Sequence, residues 1–298
     1  AIRIIGNFEK VNHTTMIRNS TRFKIVILFF LVCCFHMAVG QAPNWDWAVQ
    51  GYGDDSNGGS AIGVDASGNS YVMGFFMGDS VNIGGTVLYN TQFGSNFLVK
   101  YDPNGNVVWV EQLVGHVYNI SAVALCADDS GNTYLTGAFM DTLQLGGVNL
   151  IATGVTDIFV AKFNTLGALV WARVAGGSSV DGSNAIAIDN SHQVYVGGNF
   201  YSPFINFGSS ILTISVPSAA PDILLLKFDA GGNPDWGISA DGNAGDYVQA
   251  ITTDLFGNIY LAGKFVSDSI VFGPSVLYLT GAFPNGDIYT AKVNSNGI

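Results

Sequence analysis

One 13-residue segment occurs four times along this chain of 298 residues. The first copy reads VDASGNSYVMGFF from Val64, and the others begin at Ala127, Ile188 and Thr253. Four residue types keep their register in every copy: an aspartate (Asp65, Asp128, Asp189, Asp254), a tyrosine (Tyr71, Tyr134, Tyr195, Tyr260), a glycine (Gly74, Gly137, Gly198, Gly263) and a phenylalanine (Phe76, Phe139, Phe200, Phe265). Consecutive aspartates are 63, 61 and 65 residues apart. Such a period predicts a fold built from four similar units.

A second pattern follows the first in each unit. Three lysines stand nine residues before three tryptophans: Lys100 before Trp109, Lys162 before Trp171, and Lys227 before Trp236. Lys292 begins a fourth occurrence, but the sequence ends before its tryptophan. Trp47 lies 62 residues before Trp109 and has no repeated segment ahead of it. The pattern is therefore incomplete at both ends of the chain.

Each unit is expected to contain two main β-hairpins and a small one. A D-x-S-G-N turn joins the first pair of apolar strands, and P-N-G-N or a similar sequence joins the second pair. Between them a glycine recurs four residues before a leucine (Gly84 and Leu88 in the first copy), which predicts the small hairpin. No helical periodicity occurs. The sequence therefore predicts an all-β fold, a β-propeller with four repeated four-stranded blades of about 63 residues each.

These units resemble the bacterial β-propeller repeats of the SBBP family, whose pattern runs approximately AIAVDxxGNxYVTGxF, FGGxxL and DIFVAKYDxxGNxxW. The resemblance covers residues 44–298, and the second copy matches best. The third copy has His192-Gln193 where Gly-Asn is expected, so we predict a different turn type there. The resemblance implies a secreted or surface protein of Bacteroidetes-like bacteria, usually without assigned chemistry.

Trp47 leaves two arrangements open. Its strand could close the last blade, that of Lys292, which would give a complete ring of four blades at about 55–113, 114–176, 177–240 and 241–298 plus 44–50. Alternatively, the chain is part of a larger ring. The missing initiating Met and the end of the sequence inside a hairpin favour this larger ring.

The N-terminal region has the features of a secretory leader. Residues 1–15 are interpreted as translated upstream sequence and residues 16–40 as a signal peptide. Basic residues precede the apolar run IVILFFLVCCF from Ile25, and small residues stand before a cleavage site after Gly40. We therefore expect a secreted or cell-surface protein whose mature part, 41–298, is the β-propeller. The mature part has no membrane span and keeps only Cys126, which we interpret as a small buried residue.

Charge limits the possible partners of the mature chain. The full chain has 11 basic and 22 acidic residues, and after Gly40 the balance is 6 to 21. A surface this acidic repels phosphate backbones, which excludes nucleic acid. We expect a monomer with an extracellular protein or glycan as partner.

Most repeated side chains are interpreted as structural. The aspartates are expected to cap their own turns, and the lysines to pair with neighbouring repeated aspartates such as Asp65 or Asp128. The repeated aromatic residues, with Trp47, are expected to pack between blades.

The loops entering the blades offer the candidate ligand- or cation-binding residues Asp54, Asp55, Asp181, Asp241 and Asp246. We expect them to lie around the channel mouth, on the face that bears the long loops. No cofactor is predicted, except that Ca²⁺ is a candidate at this acidic face.

Catalysis has little support in the sequence. The mature chain has two histidines, His116 and His192, in unrelated contexts, so neither a zinc site nor a catalytic triad is indicated. The aspartates fall on turns in every copy and form no unrepeated pair of the kind that glycosidases need. We therefore expect a non-catalytic scaffold or adhesion-type binding module. A propeller hydrolase or lyase acting on extracellular polysaccharide is the alternative.

Overall fold

The computed structural model describes residues 44–90, 95–115, 124–208, 210–213, 220–281 and 285–298. The predicted upstream segment, the signal peptide and His116 lie outside the described residues. The chain divides into Ala1–Asp46 and Trp47–Ile298, and the strands that the structure describes belong to the second part. No helix occurs among the described residues, and the all-β prediction is confirmed.

The strands follow the order that the repeats predict. A short strand, β1 (Gly51–Gly53), comes first. Copy one contains β2 (Asn57–Val64), β3 (Ser70–Phe76), β4 (Ser80–Ile83), β5 (Thr86–Tyr89), β6 (Ser95–Tyr101) and β7 (Val107–Gly115). Copy two contains β8 (Ala124–Ala127), β9 (Thr133–Phe139), β10 (Thr142–Leu145), β11 (Val148–Ile151), β12 (Asp157–Phe163) and β13 (Leu169–Ala175).

The second half of the chain repeats this order. Copy three contains β14 (Asp181–Ile188), β15 (Val194–Phe200), β16 (Phe204–Phe207), β17 (Ser210–Thr213), β18 (Asp222–Phe228) and β19 (Pro234–Ala240). Copy four contains β20 (Asp246–Thr253), β21 (Ile259–Phe265), β22 (Ser269–Phe272), β23 (Ser275–Tyr278) and β24 (Asp287–Val293).

Each copy forms an antiparallel sheet from its main strands. The orders are β2-β3-β6-β7, β8-β9-β12-β13, β14-β15-β18-β19 and, with three strands, β20-β21-β24. The small hairpin of a copy contacts the last strand of the preceding copy, as when β10 pairs with β7. The first strands lie next to one another, and Thr253 Oγ1 of β20 donates to the carbonyl of Ile188 at the end of β14 over 2.7 Å. The sheets are therefore joined both at their first and at their last strands.

The hydrophobic core lies between neighbouring sheets. One cluster combines Tyr71 and Met73 of copy one with Leu135 and Phe159 of copy two, and all four side chains have no exposed surface. Equivalent clusters join copy two to copy three and copy three to copy four. Because both faces of each sheet are buried against neighbouring sheets, the sequences of its central strands are nearly continuous apolar runs such as DIFVAKF.

Trp47 and the short strand that follows it contact copy one. Gly51–Gly53 pairs with β4 of copy one, and the indole N–H of Trp47 donates to the carbonyl of Pro103 over 3.1 Å. Within the described residues, β24 pairs only with β21. Trp47 thus takes the place of a preceding unit's tryptophan against copy one, as it would both in a ring closed at the blade of Lys292 and in a larger ring.

The prediction of a different turn in copy three is wrong. The amide of His192 donates to the carbonyl of Asp189, and the amide of Asp189 donates to the carbonyl of Gln193. In copy one, the amide of Gly68 donates to Asp65 and that of Asp65 to Asn69 in the same way. His192 keeps this geometry by adopting a φ of 59°. That conformation is left-handed and favours glycine, which the other three copies have at this position.

Candidate functional site

The repeated turn aspartates lie at one end of the sheets, which we call the turn face (residues 65–69, 128–132, 189–193 and 254–258, with the turns of the second hairpins). Asp128 is buried, and its Oδ1 accepts the amides of Ser130 at 3.0 Å and Asn132 at 2.8 Å. Its Oδ2 accepts Asn132 Nδ2 at 2.8 Å and the hydroxyl of Tyr134 at 3.1 Å. The same four bonds occur at Asp65 and Asp254. The interpretation that these residues cap their own turns is confirmed.

These hydrogen bonds keep the turn carboxylates ionised. Burial would raise the pKa of Asp65 and Asp128, but bonds from the asparagine, the tyrosine and backbone amides lower it below its usual value. At Asp254 the bond from Asn258 contributes most, and the pKa falls to about 2. Each carboxylate is already held by three or four donors of its own hairpin, so these positions do not resemble an open calcium loop.

The repeated lysines lie between the repeated aromatic rings. Lys162 is directly opposite Tyr134 on one neighbouring strand and Trp171 on the other. Its Nζ stands 4.9 Å from the centre of the Tyr134 ring, and Lys100, Lys227 and Lys292 take the same position over Tyr71, Tyr195 and Tyr260. The expected pairing with repeated aspartates is wrong, because the sheet register aligns each lysine with a tyrosine. Cation–π attraction takes the place of that pairing, and Lys227 in addition forms an ion pair over 2.9 Å with Asp235, which is not one of the repeated aspartates.

The repeated tryptophans connect consecutive copies. The indole N–H of Trp109 donates to the carbonyl of Thr165, that of Trp171 to Ala230, and that of Trp236 to Ser295, over 3.0 to 3.3 Å. Each ring covers a turn glycine with positive φ: Gly167, Gly232 and Gly297. The expected packing between neighbouring units is confirmed, and it also involves a hydrogen bond that the sequence did not indicate.

The opposite end of the sheets, which we call the loop face, carries the five predicted binding residues (loops at 51–57, 176–184 and 241–247, with residues 77–80, 201–202 and 266–268). The structure does not bring all five together as one site. Asp54 and Asp55 are exposed in copy one. Asp54 accepts the amides of Asp79 and Ser80, which lower its pKa. Asp55 accepts the amide of Ser56.

Asp181 and Asp246 have no exposed surface and hold the loop face together. Asp181 Oδ2 accepts the hydroxyl of Ser202 at 2.6 Å and the amide of Gly177 at 2.8 Å. Asp246 accepts the hydroxyl of Ser267 at 2.7 Å and the amides of Val266 and Ser267. Burial raises the pKa of both carboxyls despite these bonds.

Two further buried aspartates, Asp157 and Asp222, were missed in the sequence. They begin the third main strand of copies two and three, and each stands near the buried acid of the next copy, Asp181 or Asp246. The signal was available, because an aspartate opens both repeated runs DIFVAKF and DILLLKF. The predicted binding residues were limited to turns and loops, so these first residues of strands were not among them.

Asp157 and Asp222 differ in how their charges are satisfied. Asp157 Oδ2 accepts the amide and hydroxyl of Thr153, and its Oδ1 accepts the amide of Gly154. Asp222 Oδ1 accepts only the amide of Gly242 at 3.3 Å, and its buried Oδ2 has no hydrogen-bond partner. Burial raises the pKa of Asp222 to about 7, and the nearby charges of Asp241 and Asp246 raise it too. Asp241 is partly buried beside it.

Aromatic side chains accompany the acids on the loop face between copies three and four. Tyr201 follows β15, and Tyr247 is the second residue of β20. Their side chains are 38% and 39% exposed, and burial together with the nearby Tyr247 hydroxyl raises the pKa of Tyr201. A pair of half-exposed tyrosines can stack on a flat ligand while their hydroxyls bind its polar groups.

In the part of the chain that the structure describes, no group of three or more His, Cys, Asp or Glu side chains is arranged to hold a metal ion. Burial raises the pKa of the Cys126 thiol to about 12, so it is inert near neutral pH. His192 Nε2 lies 3.7 Å from Asp128 Oδ2, on the turn face. Among the described residues, no helix is long and apolar enough to cross a membrane.

No family model matches the sequence. The chain is 24% identical over 229 residues to an uncharacterized WD repeat-containing protein of Acanthamoeba polyphaga mimivirus, covering 66% of this chain and 16% of that protein. It is 29% identical over 193 residues to the regulatory protein FlaEY of Caulobacter vibrioides, covering 63% and 18%. The chain thus spans less than a fifth of either relative.

Among solved structures, a protein of unknown function from Bacteroides caccae matches 82% of this chain and 63% of its own, with a TM-score of 0.33 and 9% identity. The similarity to a WD repeat-containing protein agrees with the repeated all-β architecture of the described strands.

Proposed function

We propose that this protein is a non-catalytic binding scaffold, a β-propeller of the SBBP type whose loop face takes an extracellular partner. The observation that carries the proposal is the internal use of the repeated polar side chains. The turn carboxylates bind their own turns, the lysines lie over tyrosines, and the tryptophan N–H groups bind the next copy. Groups that are committed in this way stabilise a frame and are not available to a substrate.

A propeller arrangement fits the contacts between copies. Four similar sheets follow one another, their first strands are neighbours, and the core fills the space between sheet faces. Blades of a propeller pack in this way around a central axis. The number of blades in the ring, four or more, depends on what pairs with the outer edge of β24.

The loop face is the best candidate for binding because the copies differ there. Copy one presents the exposed Asp54 and Asp55, whereas copies three and four present Tyr201 and Tyr247. Tyrosines with acidic neighbours suit a glycan, whose sugar rings stack on aromatic faces and whose hydroxyls donate to carboxylates. We take an extracellular glycan as the partner, with the signal peptide at 16–40 directing a monomeric protein outside the cell.

Polysaccharide binding tests this function. The full chain, secreted by a bacterial host, is applied to a panel of immobilised neutral and acidic extracellular polysaccharides. We expect Tyr201→Ala with Tyr247→Ala to weaken binding about tenfold, because each stacked aromatic contributes about 0.5–1.5 kcal/mol. Leu255→Ser with Phe256→Ser is the matched control, since both side chains are exposed on the turn face.

Two results would contradict this function. Binding that the turn-face variant loses and the loop-face variant keeps would place the site at the wrong end of the sheets. Release of reducing ends from the bound polysaccharide, abolished by the loop-face substitutions, would support the hydrolase or lyase instead.

A further inference from the structure

A cleft of about 400 Å³ opens on the turn face between copies three and four. Its walls come from the first-hairpin turns of both copies and from residues 295–296 in the second-hairpin turn of copy four. The side chain of Lys227 also lines it. This volume lies within the range of small-ligand sites. The junction therefore has room for a small molecule or for a single side chain.

The cleft is open because copy four has Gly257 at the position that His192 holds in copy three. At the junction of copies two and three, His192 fills the corresponding space, and its Nε2 lies 3.7 Å from Asp128 Oδ2. At the junction of copies one and two, a Cβ on Gly131 would meet three side-chain atoms within 3.4 Å. A Cβ on Gly257 would meet no atom closer than 3.6 Å apart from those of its chain neighbours, and Asp189 Oδ2 is one of the nearest. The space in front of Asp189 is thus unfilled.

Asp189 has fewer hydrogen-bond donors than the other turn carboxylates. Its Oδ1 accepts the amides of Ser191 and Gln193, and its Oδ2 accepts the hydroxyl of Tyr195 over 2.9 Å. In the other three copies an asparagine side chain also donates to this second oxygen. Copy three has Gln193 instead, whose Nε2 donates to the carbonyl of Ser191. Among the described residues, Asp189 Oδ2 therefore has one donor where its equivalents have two.

The lysine of the cleft forms its ion pair elsewhere. Lys227 Nζ lies 2.9 Å from Asp235 Oδ2 and donates to the carbonyl of Ser295 over 3.0 Å. Within the described part of the chain, no basic side chain lies within ion-pair distance of Asp189. The carboxylate at the cleft can therefore take a positively charged donor from outside.

Copy four also places two large apolar side chains at the cleft. Leu255 and Phe256 are 81% and 86% exposed, and both line it. The other first-hairpin turns have small or polar residues at these two positions: Ala66 and Ser67, Asp129 and Ser130, and Asn190 and Ser191. An apolar wall beside a carboxylate suits a cation carried on an apolar chain, and an aromatic ring attracts such a cation in addition.

We propose that this cleft binds an alkylammonium group, a positively charged nitrogen on a short apolar chain. The ammonium donates to Asp189 Oδ2, and the alkyl chain packs against Leu255 and Phe256. The chain itself contains a model for this contact, because His192 places a ring nitrogen near the equivalent oxygen of Asp128. A free amine and the lysine side chain of another protein both carry the group. The inference goes beyond the glycan binding proposed for the loop face and does not depend on it.

Binding of n-pentylammonium to the full chain tests the site, with ligand-detected NMR at neutral pH and low salt as the measurement. We expect saturable binding, and binding of the uncharged n-pentanol that is weaker by about tenfold or more, because the alcohol forms no charge-assisted hydrogen bond. Asp189→Asn is expected to weaken pentylammonium binding by about tenfold for the same reason. Gly257→His is expected to abolish it, because this substitution introduces the side chain that fills the preceding junction. The positive φ of 76° at Gly257 is close to the 59° that His192 adopts.

A matched control separates the cleft from general attraction to an acidic protein. Asp129→Asn removes an exposed acid from the turn of copy two and is expected to leave pentylammonium binding unchanged. The proposal is overturned if the wild type binds pentylammonium no better than pentanol, or if Gly257→His binds it as tightly as the wild type does. The neutral and acidic polysaccharides of the loop-face test carry no ammonium group, so the two tests succeed or fail independently.

A second probe distinguishes the two sources of the ammonium group. Nα-acetyl-lysine methylamide carries the same alkylammonium on a peptide backbone. If it binds as tightly as pentylammonium, the cleft accepts a lysine side chain of a partner protein. If the free amine alone binds, the natural ligand is a small amine.

Discussion

Replacing Trp171 by alanine is expected to lower the free energy of unfolding by about 3–5 kcal/mol, the usual cost of removing a large buried aromatic side chain. Trp171 is 7% exposed and belongs to the core between copies two and three. Its ring covers Gly232, and its N–H donates to the carbonyl of Ala230. The substitution opens a cavity at the contact that joins two copies. Urea denaturation followed by circular dichroism measures the loss.

Trp45→Ala is the control for this substitution. Trp45 is 88% exposed, so its removal is expected to change the stability by less than about 0.5 kcal/mol. If Trp171→Ala costs as little as Trp45→Ala, the repeated tryptophans do not hold the copies together, and the frame must depend on other contacts.

Replacing Asp128 by alanine is expected to cost about 3 kcal/mol, because it leaves buried donors without an acceptor. The amide and side chain of Asn132 and the fully buried hydroxyl of Tyr134 lose their partner. Asp129→Ala is the matched control: the neighbouring side chain is exposed, and its loss is expected to be nearly neutral. Urea denaturation of both variants and the wild type measures the difference.

The effect of Asp128→Ala is also expected to depend on pH. The folded state lowers the pKa of Asp128 below the value of about 3.9 that is usual for an aspartate, so its contribution to stability is present above that pH. It is lost as the pH falls through the lower, folded-state pKa. The stability difference between wild type and variant should therefore shrink in acid. A difference that stays constant below about pH 3 would contradict the role of the ionised carboxylate.

The local parts of the fold could be predicted because their signals lie close together in the sequence. The turn of Asp65 is built from residues within six positions, so the motif D-x-S-G-N with its tyrosine determines both the hairpin and the hydrogen bonds. The strand pairs and the small hairpins followed from the same spacing. The turn at His192 was mispredicted because the chain can force a non-glycine residue into a positive φ when the bonds around it are kept.

The contacts that depend on register and on neighbouring copies could not be predicted from spacing alone. A lysine and an aspartate suggest an ion pair, but the three-strand register places Lys162 between Tyr134 and Trp171. Similarly, loop aspartates suggest exposure, whereas Asp181 and Asp246 are fully buried at the start of β14 and β20. The acidic surroundings of Asp222 could not be predicted from its own strand, because its neighbours Asp241 and Asp246 come from the segment that leads into the next copy.

The packing of neighbouring copies face to face is the central claim, and an engineered disulfide tests it most directly. A Cβ on Gly182 of β14 would lie 3.5 Å from the Cβ of Ala138 in β9, within the range that a disulfide requires. In a Cys126→Ala background, Ala138→Cys with Gly182→Cys is expected to form an intramolecular disulfide on mild oxidation. Mass spectrometry of a tryptic digest would show the linked peptides.

The control pair combines Gly182→Cys with Val148→Cys, whose side chain is 47% exposed on β11 in the small hairpin. This pair is expected to stay reduced under the same oxidation. A folded Ala138→Cys, Gly182→Cys protein that forms no disulfide, or that links no more readily than the control pair, would contradict the face-to-face packing of copies two and three.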